Sequence, residues 1–187
     1  MNISGRYDPD GREIALTLSK DGNPEIYLLG TDGTLHRRVT NDWSIDTDAS
    51  WSPRGDRLAF LSDRQGGPHV FITDIDGGNV RRLTPPNTYN ATPTWSPDGE
   101  RIAFTRLKAG RFDIYTVQTD GSGERRLTFG PGSKEHPRWS PDGRFLVYSS
   151  DQEGEKAIYV MRADGTGNRR ISPPGAEASH PAWSGAW

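Results

Sequence analysis

Apolar residues in this chain come in short runs, each bounded by Gly, Pro, Asp or Asn. One set of runs is Ile14-Ala15-Leu16, Leu58-Ala59-Phe60, Ile102-Ala103-Phe104 and Leu146-Val147-Tyr148. A second set is Ile26-Tyr27, Val70-Phe71, Ile114-Tyr115 and Ile158-Tyr159. Brief β-branched and aromatic runs between turn residues predict strands rather than helices. Members of each set lie 44 residues apart, and so do the phrase Trp-Ser-Pro-Asp-Gly and its close variants, which begin at Tyr7, Trp51, Trp95, Trp139 and Trp183. A fixed period of about 40–45 residues is the mark of a β-propeller.

One repeat shows how the unit is built. In Trp95-Ser96-Pro97-Asp98-Gly99, Pro presets φ for the first turn position, and Asp and Gly favour the later ones. A second turn centres on Gly110, matched by Gly22, Gly66 and Gly154. Asp120-Gly121 lies between two extended runs, as do Asp32-Gly33, Asp76-Gly77 and Asp164-Gly165, and that dipeptide is a strong hairpin signal. Arg125-Arg126-Leu127-Thr128 closes the unit, echoed at Arg37, Arg81 and Arg169. Each unit therefore predicts four short antiparallel strands. The fold expected is all-β: a propeller of four blades, at about 7–50, 51–94, 95–138 and 139–182, with an extra C-terminal first strand over 179–187.

That extra strand poses a closure question, because Asn2 to Tyr7 fits the same slot in the first blade. A closed four-blade ring, an open arc of a larger ring, and arcs completed by self-association all satisfy the count; the open arc is favoured. The first repeat also departs from the rest, with Tyr7-Asp8 where the others have Trp-Ser. A terminal unit often departs in this way. The tryptophans are expected to wedge between blades. Each would remove roughly 150–250 Å² from water, worth up to roughly 4–6 kcal/mol as an upper estimate. The Arg pairs are expected on the outermost strand, where charge discourages edge-to-edge pairing.

Composition changes the picture little. Hydrophobic content is 32%, with 22 Gly and 14 Pro, as short strands joined by many turns require. The net charge of −2 and the spread of the arginines around the perimeter argue against a nucleic-acid partner. There is no cysteine, hence no disulfide framework and no thiolate metal site. No apolar stretch has the length of a membrane span, so no membrane insertion is expected. Met1 to Asp10 carries neither a basic nor an apolar leader region.

No catalytic residues emerge. A Gly-x-Ser-x-Gly elbow and a phosphate loop are missing, and Asp74-Ile75-Asp76-Gly77 lacks the Glu ligand of a calcium loop. His136 and His180 share a repeat offset, three before the Trp, near Glu135 and Asp48. Imidazole and carboxylate together hold divalent ions, but no local ligand pattern supports one, so no metal and no cofactor is expected.

The phrases Trp95 to Gly99, Ile114-Tyr115, Asp164-Gly165-Thr166-Gly167 and Arg125 to Thr128 resemble the WD40-like repeats of TolB-type propellers. Ile14 to Tyr27 resembles such a blade closely, and His180 to Ser184 is similar to the way those chains end. The resemblance covers essentially the whole chain. It implies a non-catalytic, periplasmic protein-binding scaffold of the Tol-Pal cell-envelope system, corresponding to its C-terminal part. The partner implied is a peptidoglycan-associated lipoprotein or similar envelope protein, docked on loops entering the innermost strands. The matching positions are Asp46, Thr47 and Asp48; Asn90, Ala91 and Thr92; Glu135 and His136; Ser179 and His180. Relative to the family pattern, these 187 residues are expected to form fewer blades and to hold no N-terminal α/β domain. Similar repeats also build the propellers of prolyl-oligopeptidase-type peptidases and oligosaccharide lyases, which supply the enzymatic alternative.

Overall fold

The computed structural model of the protein describes residues 2–184. Its elements are all strands, in four separate four-stranded antiparallel sheets. The first holds β1 (Asn2–Tyr7), β2 (Glu13–Leu18), β3 (Glu25–Gly30) and β4 (Leu35–Arg38). The second holds β5 (Asp46–Trp51), β6 (Arg57–Ser62), β7 (His69–Asp74) and β8 (Arg81–Arg82). The third holds β9 (Tyr89–Trp95), β10 (Arg101–Lys108), β11 (Arg111–Gln118) and β12 (Arg125–Arg126). The fourth holds β13 (Lys134–Trp139), β14 (Phe145–Ser150), β15 (Ala157–Arg162) and β16 (Arg169–Arg170). Strands pair in chain order within every sheet, the meander that short hairpin turns impose. Each sheet opens a few residues before the aromatic of its phrase, so a frame starting at that aromatic cuts through the innermost strand.

The core lies between sheets. Ala15, Ile26 and Leu28 of the first sheet pack with Trp51, Leu58, Phe60 and Phe71 of the second. Ala59, Val70 and Ile72 meet Trp95, Ile102 and Phe104, and Ala103 and Ile114 meet Trp139, Leu146 and Tyr148. Trp51, Trp95 and Trp139 are 8%, 6% and 7% exposed, as wedges between blades should be. The indole N–H reaches back one blade: Trp51 Nε1 donates to Arg6 O at 2.9 Å and Trp139 Nε1 to Thr94 O at 3.3 Å. The Asp-Gly hairpins also press on the preceding blade. A Cβ at Gly165, where φ is 88°, would stand 2.9 Å from the Leu127 carbonyl oxygen.

The Arg pairs divide their work. Arg37, Arg81, Arg125 and Arg169 face solvent on the outermost strands, as expected. Their neighbours fold back: Arg38 Nη2 bonds Glu25 at 2.9 Å and Arg126 Nη2 bonds Asp113 at 2.7 Å. The Thr or Ser that ends each unit accepts the N–H of Ile26, Val70, Ile114 or Ile158, at 2.9, 3.1, 2.9 and 3.0 Å. One hydroxyl per blade thus fastens the outer strand's exit to the third strand.

Sheets pack first on second, second on third and third on fourth, and no sheet closes the series into a barrel or ring among the described residues. The fifth phrase differs from the expectation of a full extra strand. Ser179 to Ser184 pairs with no sheet, and β1 fills the inner slot of the first blade; residues 185–187 of the expected strand lie outside the described residues. The segment is nevertheless anchored like an inner strand. Ala178 N donates to Lys156 O at 2.8 Å, as Asp46 N does to Pro24 O and Asn90 N to Pro68 O, both at 2.9 Å. Trp183 Nε1 donates to Arg138 O at 3.0 Å. It sits where a fifth blade would begin, without the strands that would complete one.

Candidate functional site: the axial ends of the inner strands

Each inner strand carries a β-bulge just before its aromatic. Pairing register shifts between Ile3 and Arg6, Thr47 and Ser50, and Glu135 and Arg138, and opposite the β9 bulge between Ala103 and Thr105. A bulge leaves one residue unpaired and re-aims its side chain. Asp48, Thr92, His136 and His180 stand at the same repeat offset with φ of 54°, 49°, 56° and 54°. None is glycine, and left-handed φ costs an L-residue roughly 1–2 kcal/mol. For β-branched Thr92 it is an outlier. The same local strain thus recurs at four equivalent places.

Second-strand hydroxyls brace two of the bulges. Thr105 Oγ1 donates to Ala91 O at 3.1 Å and lies 3.2 Å from Thr92 Oγ1. Ser149 Oγ donates to Glu135 O at 3.2 Å and lies 3.3 Å from His136 Nδ1. Neither hydroxyl stood out in the sequence, although both occupy one repeat offset.

The four left-handed residues converge. Asp48, Thr92, His136 and His180 line one cavity of about 150 Å³ on the axis, together with Arg6 and Arg138. The His136 and His180 ring centroids are 4.0 Å apart. Burial, followed by the charge of His180, pushes the His136 pKa down. Burial also lowers Arg138, to about 10, and Arg6 across the cavity adds to the effect while Asp48 opposes it. At the other end of the axis a wider chamber of about 440 Å³ is rimmed by the tryptophans and prolines of the repeated phrases, with Arg6 and Arg138 again on its wall. Arg6 and Arg138 were missed from the sequence; the available signal was an Arg directly before the aromatic in the first and fourth copies alone.

The remaining expected residues separate into two groups. Thr47, Ala91 and Glu135 are half-buried beside the bulges, with the Glu135 carboxylate 3.5 Å from Lys156 Nζ, and Ser179 is exposed. Asp46 and Asn90 are fully buried and unavailable to a partner. Asp46 pairs with Arg64 at 2.7 Å, yet burial pushes its pKa up to about 6. Asn90 Oδ1 accepts Arg106 Nε at 2.9 Å while its amide reaches Pro68 O at 3.1 Å. Their repeat partner Lys134 is buried too, its ammonium donating to the carbonyls of Gly130 and Gly132 at 3.2 and 3.1 Å. Position by position this offset is a polar plug between blades. Among the described residues no cluster of three or more His, Cys, Asp or Glu forms a metal cage.

Comparison with known proteins agrees with this architecture. The TolB of Acinetobacter baumannii superposes with a TM-score of 0.83 at 31% identity, over 96% of this chain and 45% of that one. An Agrobacterium tumefaciens structure assigned as TolB gives 0.83 at 28% identity, over 97% of this chain and 65% of its own. The Tol-Pal system protein TolB of Anaeromyxobacter dehalogenans is 38% identical over 49 residues, which is 26% of this chain and 11% of that protein. The matches to curated relatives thus span only a small part of their length. A Mycobacterium tuberculosis puromycin-hydrolyzing peptidase shares the fold alone, with a TM-score of 0.75 at 16% identity. With the model of the TolB beta propeller domain matching residues 1–186, the chain belongs to that family.

Proposed function

We propose that this propeller arc is a non-catalytic, periplasmic scaffold that binds an envelope lipoprotein of the peptidoglycan-associated type at the axial end bearing the bulges. One observation carries the reading: strained left-handed residues at the same repeat offset in three successive inner strands and in the C-terminal segment, all lining one axial cavity. Backbone strain held at equivalent positions is most simply explained by what it presents. The presenting set is Asp48, Thr92, His136 and His180, flanked by Thr47, Ala91, Glu135 and Ser179. A rigid ring segment with its variable residues on loops suits recognition. That the matched Anaeromyxobacter relative is a Tol-Pal system protein supports an envelope protein as the occupant.

The test is capture of a purified peptidoglycan-associated lipoprotein ectodomain on immobilised chain. Wild-type protein should retain it, and His136→Ala should lower affinity by about tenfold, as for a central interface residue, without changing the melting temperature. A folded wild-type sample that captures none overturns the scaffold reading.

A further inference from the structure

The axial cavity has an electrostatic imbalance that the fold itself does not use. Arg6 on β1 and Arg138 on β13 face it from two blades, and neither makes an ion pair among the described residues. Arg138 commits one N–H, from Nη1 to its neighbour's carbonyl Pro137 O at 2.9 Å. A guanidinium offers five donors, so most of this one remains to be spent. The cavity withdraws Arg138 from water while Arg6 repels it, which is why its pKa falls to about 10. Elsewhere this chain neutralises such groups: Arg64 has Asp46, Arg106 has Glu124 and Arg126 has Asp113. Among the described residues the only carboxylate on the wall is Asp48, which makes no ion pair with either arginine. Glu135 is engaged by Lys156 on the other side of the bulge.

We propose that this cavity is an oxyanion site that takes a carboxylate carried by a protein partner, gripped by Arg138 and Arg6 with His136 and His180 alongside. The source of the carboxylate rests on the scaffold reading above; the grip does not. A planar carboxylate accepts two parallel N–H bonds from a guanidinium, a strong and directional match. The volume of about 150 Å³ admits a carboxylate with a short aliphatic stem and is too small for a nucleotide or a sugar chain. Two guanidinium groups on the wall disfavour a divalent cation in the same place. Protonation of His136 adds a positive charge beside the anion. Affinity therefore rises as pH falls through the titration of His136, and the bound anion raises its depressed pKa by linkage.

The experiment follows the imidazole signals of His136 and His180 by NMR in the full chain between pH 5.5 and 8, with assignment by His136→Asn and His180→Asn. N-acetyl-glutamate α-amide, which presents a side-chain carboxylate, should shift both rings and raise the His136 midpoint; the neutral N-acetyl-glutamine α-amide should do neither. Arg138→Gln should weaken binding by about tenfold or more, the worth of a lost charge-assisted bond, and Arg138→Lys should restore part of it. Should Arg138→Gln melt early, the exposed Arg6→Gln gives the same readout with less risk to folding. No shift with the glutamate amide in wild type, or equal affinity in both Gln variants, overturns the site. Inorganic phosphate binding about tenfold tighter than the glutamate amide overturns a protein-borne carboxylate as the occupant. Loss of lipoprotein capture with these shifts intact would sink the scaffold reading and leave the oxyanion grip standing.

Discussion

At the scale of single residues, the repeat assigns each offset a task and the departures reveal the energetics. The blade tryptophans act by area and by one hydrogen bond to the preceding blade, except that Trp95 Nε1 is buried without a partner. Trp51→Phe strands the Arg6 carbonyl as well as losing area, whereas Trp95→Phe removes a polar atom that was already unsatisfied. Trp51→Phe is therefore expected to cost about 1 kcal/mol more than Trp95→Phe in urea unfolding; equal losses would contradict the role given to the indole N–H. Asp46 gives a pH prediction. Its folded pKa of about 6 lies above the ordinary carboxylate range, with burial the main cause. The ionised form is thus disfavoured in the folded state, so its contribution to stability improves as pH falls from above 6 toward 4 and is lost as pH rises through 6. The difference amounts to roughly 2–3 kcal/mol at most. Thermal melts of wild type and Asp46→Asn across that range should show this rise in wild type alone; parallel curves would count against it.

At the scale of elements, each inner strand is a compromise between pairing and presentation. Its bulge breaks the ladder so that one side chain faces the axis, and a hydroxyl on the second strand of the third and fourth blades props the distorted backbone. Such strain should be recoverable as stability. Thr92→Asn, which tolerates left-handed φ, is expected to raise stability by roughly 0.5–1 kcal/mol, measured by chemical denaturation, while weakening capture of the lipoprotein. A neutral or destabilising result would mean that the Thr92–Thr105 contact outweighs the strain. The bulges were not legible in the sequence. Alternation of apolar and polar residues reports which face is buried, but an inserted residue at a loop-like strand end leaves no periodic trace. The ten expected partner-binding positions accordingly mixed axial residues with Asp46 and Asn90, which a polar character alone cannot distinguish from exposed loop residues.

At the scale of the whole molecule, the arc has two unequal ends. Behind the fourth blade, the segment from Pro173 to Ser184 runs past the turn between β14 and β15 and lodges Trp183, which remains 38% exposed. On the first blade Tyr7 takes the tryptophan position and is 65% exposed. Surfaces that pair in the interior of the array therefore face outward at its ends, and repeat arrays that lack capping units associate through such faces. Sedimentation velocity over a rising concentration series should show reversible association of the 187-residue chain, diminished in Tyr7→Glu. A monomer at every concentration would show that the ends are already satisfied.

The sequence by itself determined the repeat, the strands within it and their order, because those depend on local turn chemistry and on apolar runs that recur at a constant interval. It also placed the tryptophans between blades, since large aromatics repeated at one offset have few other uses in stacked sheets. Only the tertiary structure decided which polar residues reach the axis. Arg6 and Arg138 lie far apart in the chain and meet because successive blades rotate about a common line, and Asp46 withdraws from that line because the bulge beyond it turns the strand. Distance across an axis is a property of the rotation between sheets, and no single repeat encodes it.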